Sequence, residues 1–522
     1  AVLPSLKITA GLRLDVPVVP SEPRYNPDAE DAFGRSTSNI ASGNLQFSPR
    51  LGFNYSQDFV GEYSTQIRGG TGFFTGRPPF VWISNQFSNT GVDFTRVRGE
   101  FDPGEAFFDN EGNQTGSCFS PSGDPDDQPL PGDCGGELGT QERTEVNFID
   151  EDFNFPQTWR SNLAVDQELP YGFTATVEGI FSSTINDVVF RNLNLAQSGT
   201  GPNGRVLYGD PLDFGDGVPV FVSFRNEVDG RFTDAILLEN TDRGYQGSAT
   251  IQLQRQVREG VNGSVSYTYT RAENVNNGTS SRAISNWQFN ENVDVNNPQL
   301  GTADFERRHR FLANLNYRFE WGERFATSIG AIYEGQSGSP FSWITAGDAN
   351  GDGQAFNDLV YVPESREDIV LLSQNWEEMN AFTEQEEALR EYRGGFTERN
   401  AARDPFQHIL DLRVNQEIST FSGRSVELTA SIENALNLIN DDWGRIRFSE
   451  FNNNTAWVFS DRVTEDEVGR QIAGQTISEE DIGKPKLSFD PETAEDRRSD
   501  EIFDTANTSS RWRLQLGVRY TF

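Results

Sequence analysis

The sequence predicts an all-β fold, a transmembrane antiparallel β-barrel with about twelve strands present. Three observations predict it. Apolar and polar residues alternate over segment after segment. The connections between those segments are alternately short and long. The final segment, Arg511 to Phe522, alternates without a break. In it Trp512, Leu514, Leu516, Val518, Tyr520 and Phe522 share one face, and Arg511, Arg513, Gln515, Gly517, Arg519 and Thr521 share the other. A strand with one apolar and one arginine-bearing face needs hydrocarbon on one side and water on the other.

The same pattern recurs along the chain. Leu6, Ile8, Ala10, Leu12 and Leu14 alternate with polar or small residues; Leu45, Phe47, Pro49, Leu51, Phe53 and Tyr55 form a second face; a third strand runs over about 61–74. Trp159, Leu163, Val165 and Leu169 mark the fourth, Phe173, Ala175, Val177 and Phe181 the fifth, and Ala249, Ile251 and Leu253 the sixth. Val265, Tyr267 and Tyr269 lie in the seventh, Ala313, Leu315, Tyr317 and Phe319 in the eighth, and Phe325, Ile329, Ala331 and Tyr333 in the ninth. Leu410, Leu412, Val414 and Ile418 give the tenth, and Val426, Leu428, Ala430 and Ile432 the eleventh, before the terminal strand.

Short connections fall near 57–61, 169–172, 257–260, 320–323 and 419–423, and long ones near 17–43, 75–156, 183–243, 273–305, 337–407 and 437–509. Outer-membrane barrels have short periplasmic turns and long extracellular loops. The expectation is therefore a bacterial outer-membrane protein with extracellular long loops and a periplasmic C-terminus, all 522 residues forming part of one barrel domain. A soluble β-sandwich also alternates, but loops this long at one end only count against it.

Composition narrows the function. The net charge of −36 argues against nucleic acid as a partner, since its phosphates would be repelled. No apolar run is long enough for a membrane helix, whereas a mean hydropathy of −0.59 is compatible with a barrel, in which only alternate strand residues meet lipid. Lysine is confined to Lys7, Lys484 and Lys486, so nearly every cation is an arginine. A genomic or environmental bias is the plainer explanation; guanidinium forks would also suit the phosphates of a lipopolysaccharide surface. No leader is legible at Ala1–Pro4, so a mature, processed or partial chain is expected.

Cys118 and Cys134, the only cysteines, flank a Pro/Gly/Asp segment. A disulfide closing a surface loop is expected, worth ~3 kcal/mol on the loop-entropy account; two free thiols are the alternative. Asp348-Ala349-Asn350-Gly351-Asp352-Gly353 follows the D-x-N-x-D-G pattern, with Asp358 further on. Oxygen side chains at alternate positions converge on a hard cation where glycine permits the sharp turn, so Asp348, Asn350, Asp352 and Asp358 are candidate ligands for a structural Ca²⁺. Leu359 stands where an EF-hand carries glutamate, and an acidic turn without an ion is the alternative.

Trp376 to Arg393 reads as one helix, with Met379, Phe382, Ala388 and Leu389 on its apolar side. His309 and His408 are the only histidines; with no nucleophile or metal set beside them, the chain is not expected to be an enzyme. Arg307, Arg308 and Arg310 are expected to form structural ion pairs. The segment 437–509 holds 17 Asp and Glu against 8 Lys and Arg, read as a solvated acidic surface or a cation-attracting vestibule. Trp159, Tyr171, Trp321, Trp512 and Tyr520 fall near strand ends, where aromatic belts anchor barrels.

Several segments carry a family resemblance. They are Ser48-Pro49-Arg50-Leu51-Gly52-Phe53-Asn54-Tyr55, the stretch Arg68 to Pro79 with Trp82 and Asn85 to Gly91, Asp304-Phe305-Glu306-Arg307-Arg308-His309-Arg310, the Asp348–Gly353 loop, and Ile432-Glu433-Asn434-Ala435-Leu436-Asn437. In this order they resemble the barrel of an Oar-like TonB-dependent outer-membrane receptor. That resemblance implies a carboxypeptidase-regulatory-like domain, a plug and a 22-stranded barrel, of which this chain would supply strands 11–22. The plug, the TonB box and the first ten strands have no counterpart here, so a C-terminal part of a receptor is expected.

The implied function is uptake of a large nutrient, whether peptide, glycan or metal chelate. The implied partners are membrane lipid and lipopolysaccharide, the TonB system through the missing N-terminal region, and a surface lipoprotein lid. An adhesin or secretion-associated interaction barrel, and a self-contained 12-stranded porin, are the rival readings.

Overall fold

The structure, a computed structural model, describes residues 5–60, 62–92, 143–211, 223–256, 260–420, 423–449, 454–499 and 502–522. Twelve strands form the frame: β1 (Leu6–Asp15), β2 (Gln46–Val60), β3 (Tyr63–Thr75), β4 (Gln157–Leu169), β5 (Phe173–Asn192), β6 (Tyr245–Arg255), β7 (Gly260–Asn274), β8 (His309–Glu320), β9 (Phe325–Gln336), β10 (Gln407–Ser419), β11 (Ser425–Glu433) and β12 (Arg513–Thr521). Each pairs antiparallel with the next in chain order, so the sheet is a meander. The twelve expected strands are all present. The sheet is not closed: among the described residues, β1 and β12 are its two edges.

Register keeps each face uniform. On β8, Phe311, Ala313, Leu315 and Tyr317 lie opposite Tyr267, Val265, Gly263 and Val261 of β7. Leu12, Ile251, Leu315 and Val518 on this apolar face remain exposed, as side chains awaiting lipid would. The other face carries ion pairs, including Arg68–Asp166 at 2.9 Å, Arg318–Glu417 at 3.1 Å and Arg513–Glu433 at 2.8 Å. The connection from β4 to β5 is tight because Tyr171 (φ 62°) and Gly172 (φ 76°) both take left-handed conformations.

The described parts of the long connections leave one end of the sheet and pack into a layer of their own. β5 continues beyond the meander, and its Asp187–Asn192 stretch pairs antiparallel with Phe232–Thr241. This strand also takes Thr144–Ile149 as a parallel neighbour. The third long connection therefore begins near 193 rather than 183, because the polar stretch 183–187 hides the strand's continuation. Alternate residues bury both faces of the added strands. Val146, Phe148, Ala235 and Leu237 pack on Pro27–Phe33, a short helix capped by Asn26 and Gly34, while Ile149, Ile236 and Leu238 pack with Trp287.

A second core lies between the connections that follow β9 and β11. It holds Trp343, Phe382, Trp457 and Phe489 beside a four-stranded sheet of Ile344–Ala346, Thr455–Arg462, Pro485–Ser488 and Val370–Leu371. The helix expected over 376–393 is two helices, Trp376–Gln385 and Glu387–Arg390. They are separated at Glu386, whose extended backbone (φ −86°, ψ 109°) turns the chain. Met379, Phe382, Ala388 and Leu389 are buried, as their spacing suggests.

Candidate functional site

The Asp348–Asp358 loop sits inside the loop layer, not at its surface. Asp348, Asn350, Asp352, Asn357 and Asp358 are each no more than 1% exposed. The turn is shaped by Gly351 (φ 75°) and Gly353 (φ 87°). A side chain at Gly351 would meet the Gly209 carbonyl oxygen at 2.5 Å, so both conformation and contact require glycine there.

Backbone amides converge on the acidic side chains. Asp348 Oδ1 accepts from the amides of Gly351 (2.8 Å) and Asp352 (3.0 Å), and its Oδ2 accepts from Gly353 (2.8 Å). Asn350 Oδ1 accepts from the Asp352 amide at 2.9 Å. Asp352 Oδ2 accepts from the side-chain amides of Asn350 (3.1 Å) and Asn357 (3.0 Å). Asp358 Oδ2 accepts from the Ala349 amide at 2.7 Å, and its Oδ1 pairs with Arg205 at 2.5 Å.

Arg205 comes from the connection after β5, 153 residues away in sequence, and is buried with its guanidinium 4.7 Å from the Phe396 ring centre. Sequence reasoning did not identify it, or Asn357. Burial among Asp348 and Asp358 holds the Asp352 carboxyl well above the usual carboxylate range. Burial raises Asp358 as well, with Arg205 opposing. Burial, together with the nearby charge of Arg205, brings Arg462 down to about 10.

The donor set is all oxygen, which suits a hard cation. Asn357 Oδ1 is buried without a hydrogen-bond partner beside Asp352, the one such acceptor in the loop. As placed, however, Asp358 is committed to Arg205. Among the described residues, no group of three or more His, Cys, Asp or Glu side chains is drawn close enough to hold a metal ion.

Between the connections that follow β7, β9 and β11 lies a polar cavity of about 370 Å³, with Glu291, Asp304, Asp404 and Asn454 in its wall. Its asparagines mostly brace the loops: Asn286 donates to the Ser280 and Arg282 carbonyls, and Asn400 donates to Thr302 and Asp304. Burial pushes Glu291 up to about 7, with Arg399 opposing and Asp304 adding to the rise.

Of the three arginines around His309, Arg308 and Arg310 form ion pairs, whereas Arg307 donates to the backbone carbonyls of Asp304 (3.2 Å) and Glu306 (3.0 Å). Arg308 and Arg403 both pair with the buried Glu306, and Arg310 pairs with Glu334 at 2.7 Å. The two histidines are not brought together; each contacts a tyrosine hydroxyl instead, Tyr267 for His309 and Tyr333 for His408. Cys118 and Cys134 lie outside the described residues.

A family model described as an outer membrane beta barrel domain matches residues 1–442. The chain belongs to that family. No curated protein matches this outer-membrane β-barrel. Among solved structures, it is similar to a variant of the ferric enterobactin receptor from Pseudomonas aeruginosa, at 10% identity and a TM-score of 0.37 over 86% of this chain and 39% of that one. A variant of the FrpB iron transporter from Neisseria meningitidis is 8% identical with a TM-score of 0.34, over 83% and 39%. The outer membrane transporter YddB from Escherichia coli is 8% identical with a TM-score of 0.37, over 76% and 37%. The chain thus spans about two fifths of the length of these structures.

Proposed function

We propose that this chain is the C-terminal barrel part of an Oar-like TonB-dependent receptor that takes up a large nutrient across the outer membrane. The observation that carries this reading is that, among the described residues, β1 and β12 each keep one edge without a neighbouring strand. An open edge leaves backbone amides and carbonyls unsatisfied in hydrocarbon, which the bilayer does not tolerate. Further strands must cover both edges, and a 22-stranded receptor barrel is the architecture that the sequence resemblance supplies.

In this reading the packed loop layer is extracellular and captures the substrate, whether peptide, glycan or metal chelate. The TonB system acts through the N-terminal region, and a surface lipoprotein covers the loops. The intact mass of the protein extracted from its native outer membrane tests the reading. A mass well above 58.4 kDa, with loss of nutrient uptake on deletion, supports it. A mass equal to this chain, with ion conductance in a planar bilayer, replaces it with a self-contained 12-stranded porin.

The two buried cores of the loop layer favour one second reading, an adhesin or secretion-associated interaction barrel. Unimpaired uptake in a deletion strain that has lost surface attachment would select it.

Two structural proposals accompany the transport reading. Asp348, Asn350 and Asp352, with the Asn357 carbonyl and with Asp358 anchored by Arg205, hold a Ca²⁺ that braces the loop layer. Calorimetric titration of the full chain with Ca²⁺ against Mg²⁺ tests this, and no heat above that of a D348N/D352N variant overturns it. Cys118 and Cys134 form a loop disulfide, which alkylation before and after reduction, read by mass, decides.

A further inference from the structure

The polar cavity of about 370 Å³ in the loop layer is acidic, with no counter-charge in its wall. Glu291 and Asp304 enter that wall from the connection after β7, Asp404 from the one after β9, and Asn454 from the one after β11. Its described lining residues include no Lys, Arg or His. Arg399 opposes the charge of Glu291 from outside that lining, where its Nη2 donates to Asn274 Oδ1 at 2.6 Å. Three segments far apart in sequence thus bring their carboxylates to one space.

Internal hydrogen bonds use only part of this acceptor capacity. Asp304 Oδ1 accepts from the side-chain amides of Asn277 (2.5 Å) and Asn400 (2.7 Å). Asp404 Oδ1 accepts from the Ser449 amide (3.0 Å) and hydroxyl (2.7 Å). Among the described residues, Oδ2 of each aspartate and the Glu291 carboxyl meet no side-chain donor. Asn454, 7% exposed in the same wall, presents a side-chain carbonyl that has no hydrogen-bond partner.

Burial raises both Glu291 and Asp404, opposed by Arg399 for the first and by Ser449, Arg307 and Arg497 for the second. Carboxylates held in this way favour a ligand that brings positive charge and donors. An anionic ligand meets repulsion, and a neutral one leaves the carboxylates uncompensated. A bare divalent ion fits poorly too. Among the described residues, no three His, Cys, Asp or Glu side chains lie close enough to hold a metal. The carboxylates stand around a space the size of a small organic group instead of converging on a point. Phe289 and Phe448, 37% and 39% exposed, add ring faces to the wall, which suit a cation and its alkyl stem.

We propose that this cavity binds a primary ammonium of a peptide, either its N-terminus or a lysine side chain. A peptide brings what the wall lacks, a positive charge and a row of N–H donors. The three carboxylates supply the attraction, the Asn454 carbonyl accepts from a peptide N–H, and the phenylalanine rings cover the alkyl stem. This rests on the reading of the chain as a receptor whose loop layer captures substrate, and it selects peptide over glycan and metal chelate.

Isothermal titration calorimetry of the full-length protein in detergent tests it, with probes at millimolar concentration. They are Gly-Gly-Gly-amide, acetyl-Gly-Lys-Gly-amide, acetyl-Gly-Gly-Gly-amide and maltotriose. The first carries only an N-terminal ammonium and the second only a lysine, so they separate the two sources. At least one of these two should bind about tenfold tighter than the uncharged peptide and maltotriose, and Asp404→Asn or Glu291→Gln should weaken it about tenfold. Asp404→Asn keeps an oxygen for the Ser449 donors, and Glu291→Gln has no side-chain bond to lose. Each serves if the other fails to fold, as judged by gel mobility. Four results overturn the proposal: no heat from either ammonium probe, equal binding of the uncharged peptide, equal binding of maltotriose, or ammonium binding untouched by both substitutions. Uptake in the deletion strain judges the transport reading separately. Uptake lost without ammonium binding sinks the site alone; ammonium binding with uptake intact sinks transport and leaves the site.

Discussion

The membrane sheet and the loop layer use apolar side chains in opposite ways. In the sheet, Leu516 is 73% exposed and Val518 76%, and both belong to a regular face. In the loop layer, Trp287, Trp343 and Trp457 are each 1% exposed. One region leaves its apolar surface for a solvent of hydrocarbon; the other removes it from water by packing. Ordinary globular stability, and its sensitivity to lost volume, therefore belongs to the loop layer, while sensitivity to a misplaced charge belongs to the sheet.

Trp343→Ala is the strongest way to test the packed side of that contrast. Trp343 meets Phe382 at 5.6 Å and Phe341 at 5.5 Å, both edge to face. Its truncation is expected to cost about 3–5 kcal/mol. Limited proteolysis should then cut within 337–503, while gel mobility shows the strands still inserted. Loss of insertion would mean that sheet and loops are one cooperative unit.

Leu315→Arg probes the lipid side. Near mid-membrane, an arginine is expected to cost about 2–4 kcal/mol, read from folding titrations into vesicles, whereas Asn316→Arg on the opposite face should cost far less. Equal costs would break the assignment of faces.

A third, smaller effect concerns the cavity in the loop layer. The Glu291 carboxyl titrates near 7 in the folded protein, against an ordinary value of 4.5. The folded state therefore holds a proton that the unfolded state releases, so stability contributed here is present below about 4.5, falls as pH rises to about 7, and is flat above. Thermal melts of the loop layer across this window should show the fall, and Glu291→Gln should flatten it. An unchanged slope would move the titration to another buried group.

The smallest expectation is Arg470→Ala. Its partner Asp466 lies 3.1 Å away, and both side chains are well over half exposed. The melting point should not move measurably, because solvent screens an exposed pair. A measurable change would mean that this stretch of the loop layer packs against something further.

The sheet was legible in the sequence because its information is local. Alternation over Leu410–Ile418 or Val426–Ile432 specifies both the strand and the side that meets lipid, since successive residues point to opposite faces whatever the neighbours are. The site was legible only in part. Asp348, Asn350 and Asp352 stand at the spacing of a turn that gathers oxygens, and the chain does bury them together. Arg205, which meets Asp358, carries no signal in its own neighbourhood, because a contact across 153 residues is a product of the fold. The break at Glu386 was missed for a related reason. Helical periodicity runs through it, and packing of both short helices on one core makes the turn.

The sequence by itself determined the strand count, the lipid-facing set, the alternation of short and long connections, and the glycines that the acidic turn needs. All of these follow from residue spacing and backbone sterics. Tertiary structure alone decided that the described parts of the long connections form one packed layer. It decided that Thr144–Ile149 runs parallel to a strand far along the chain, and that Arg205 meets Asp358. Each of these depends on which distant segments meet, and loop-closure entropy and burial settle that over the whole chain rather than within any local window.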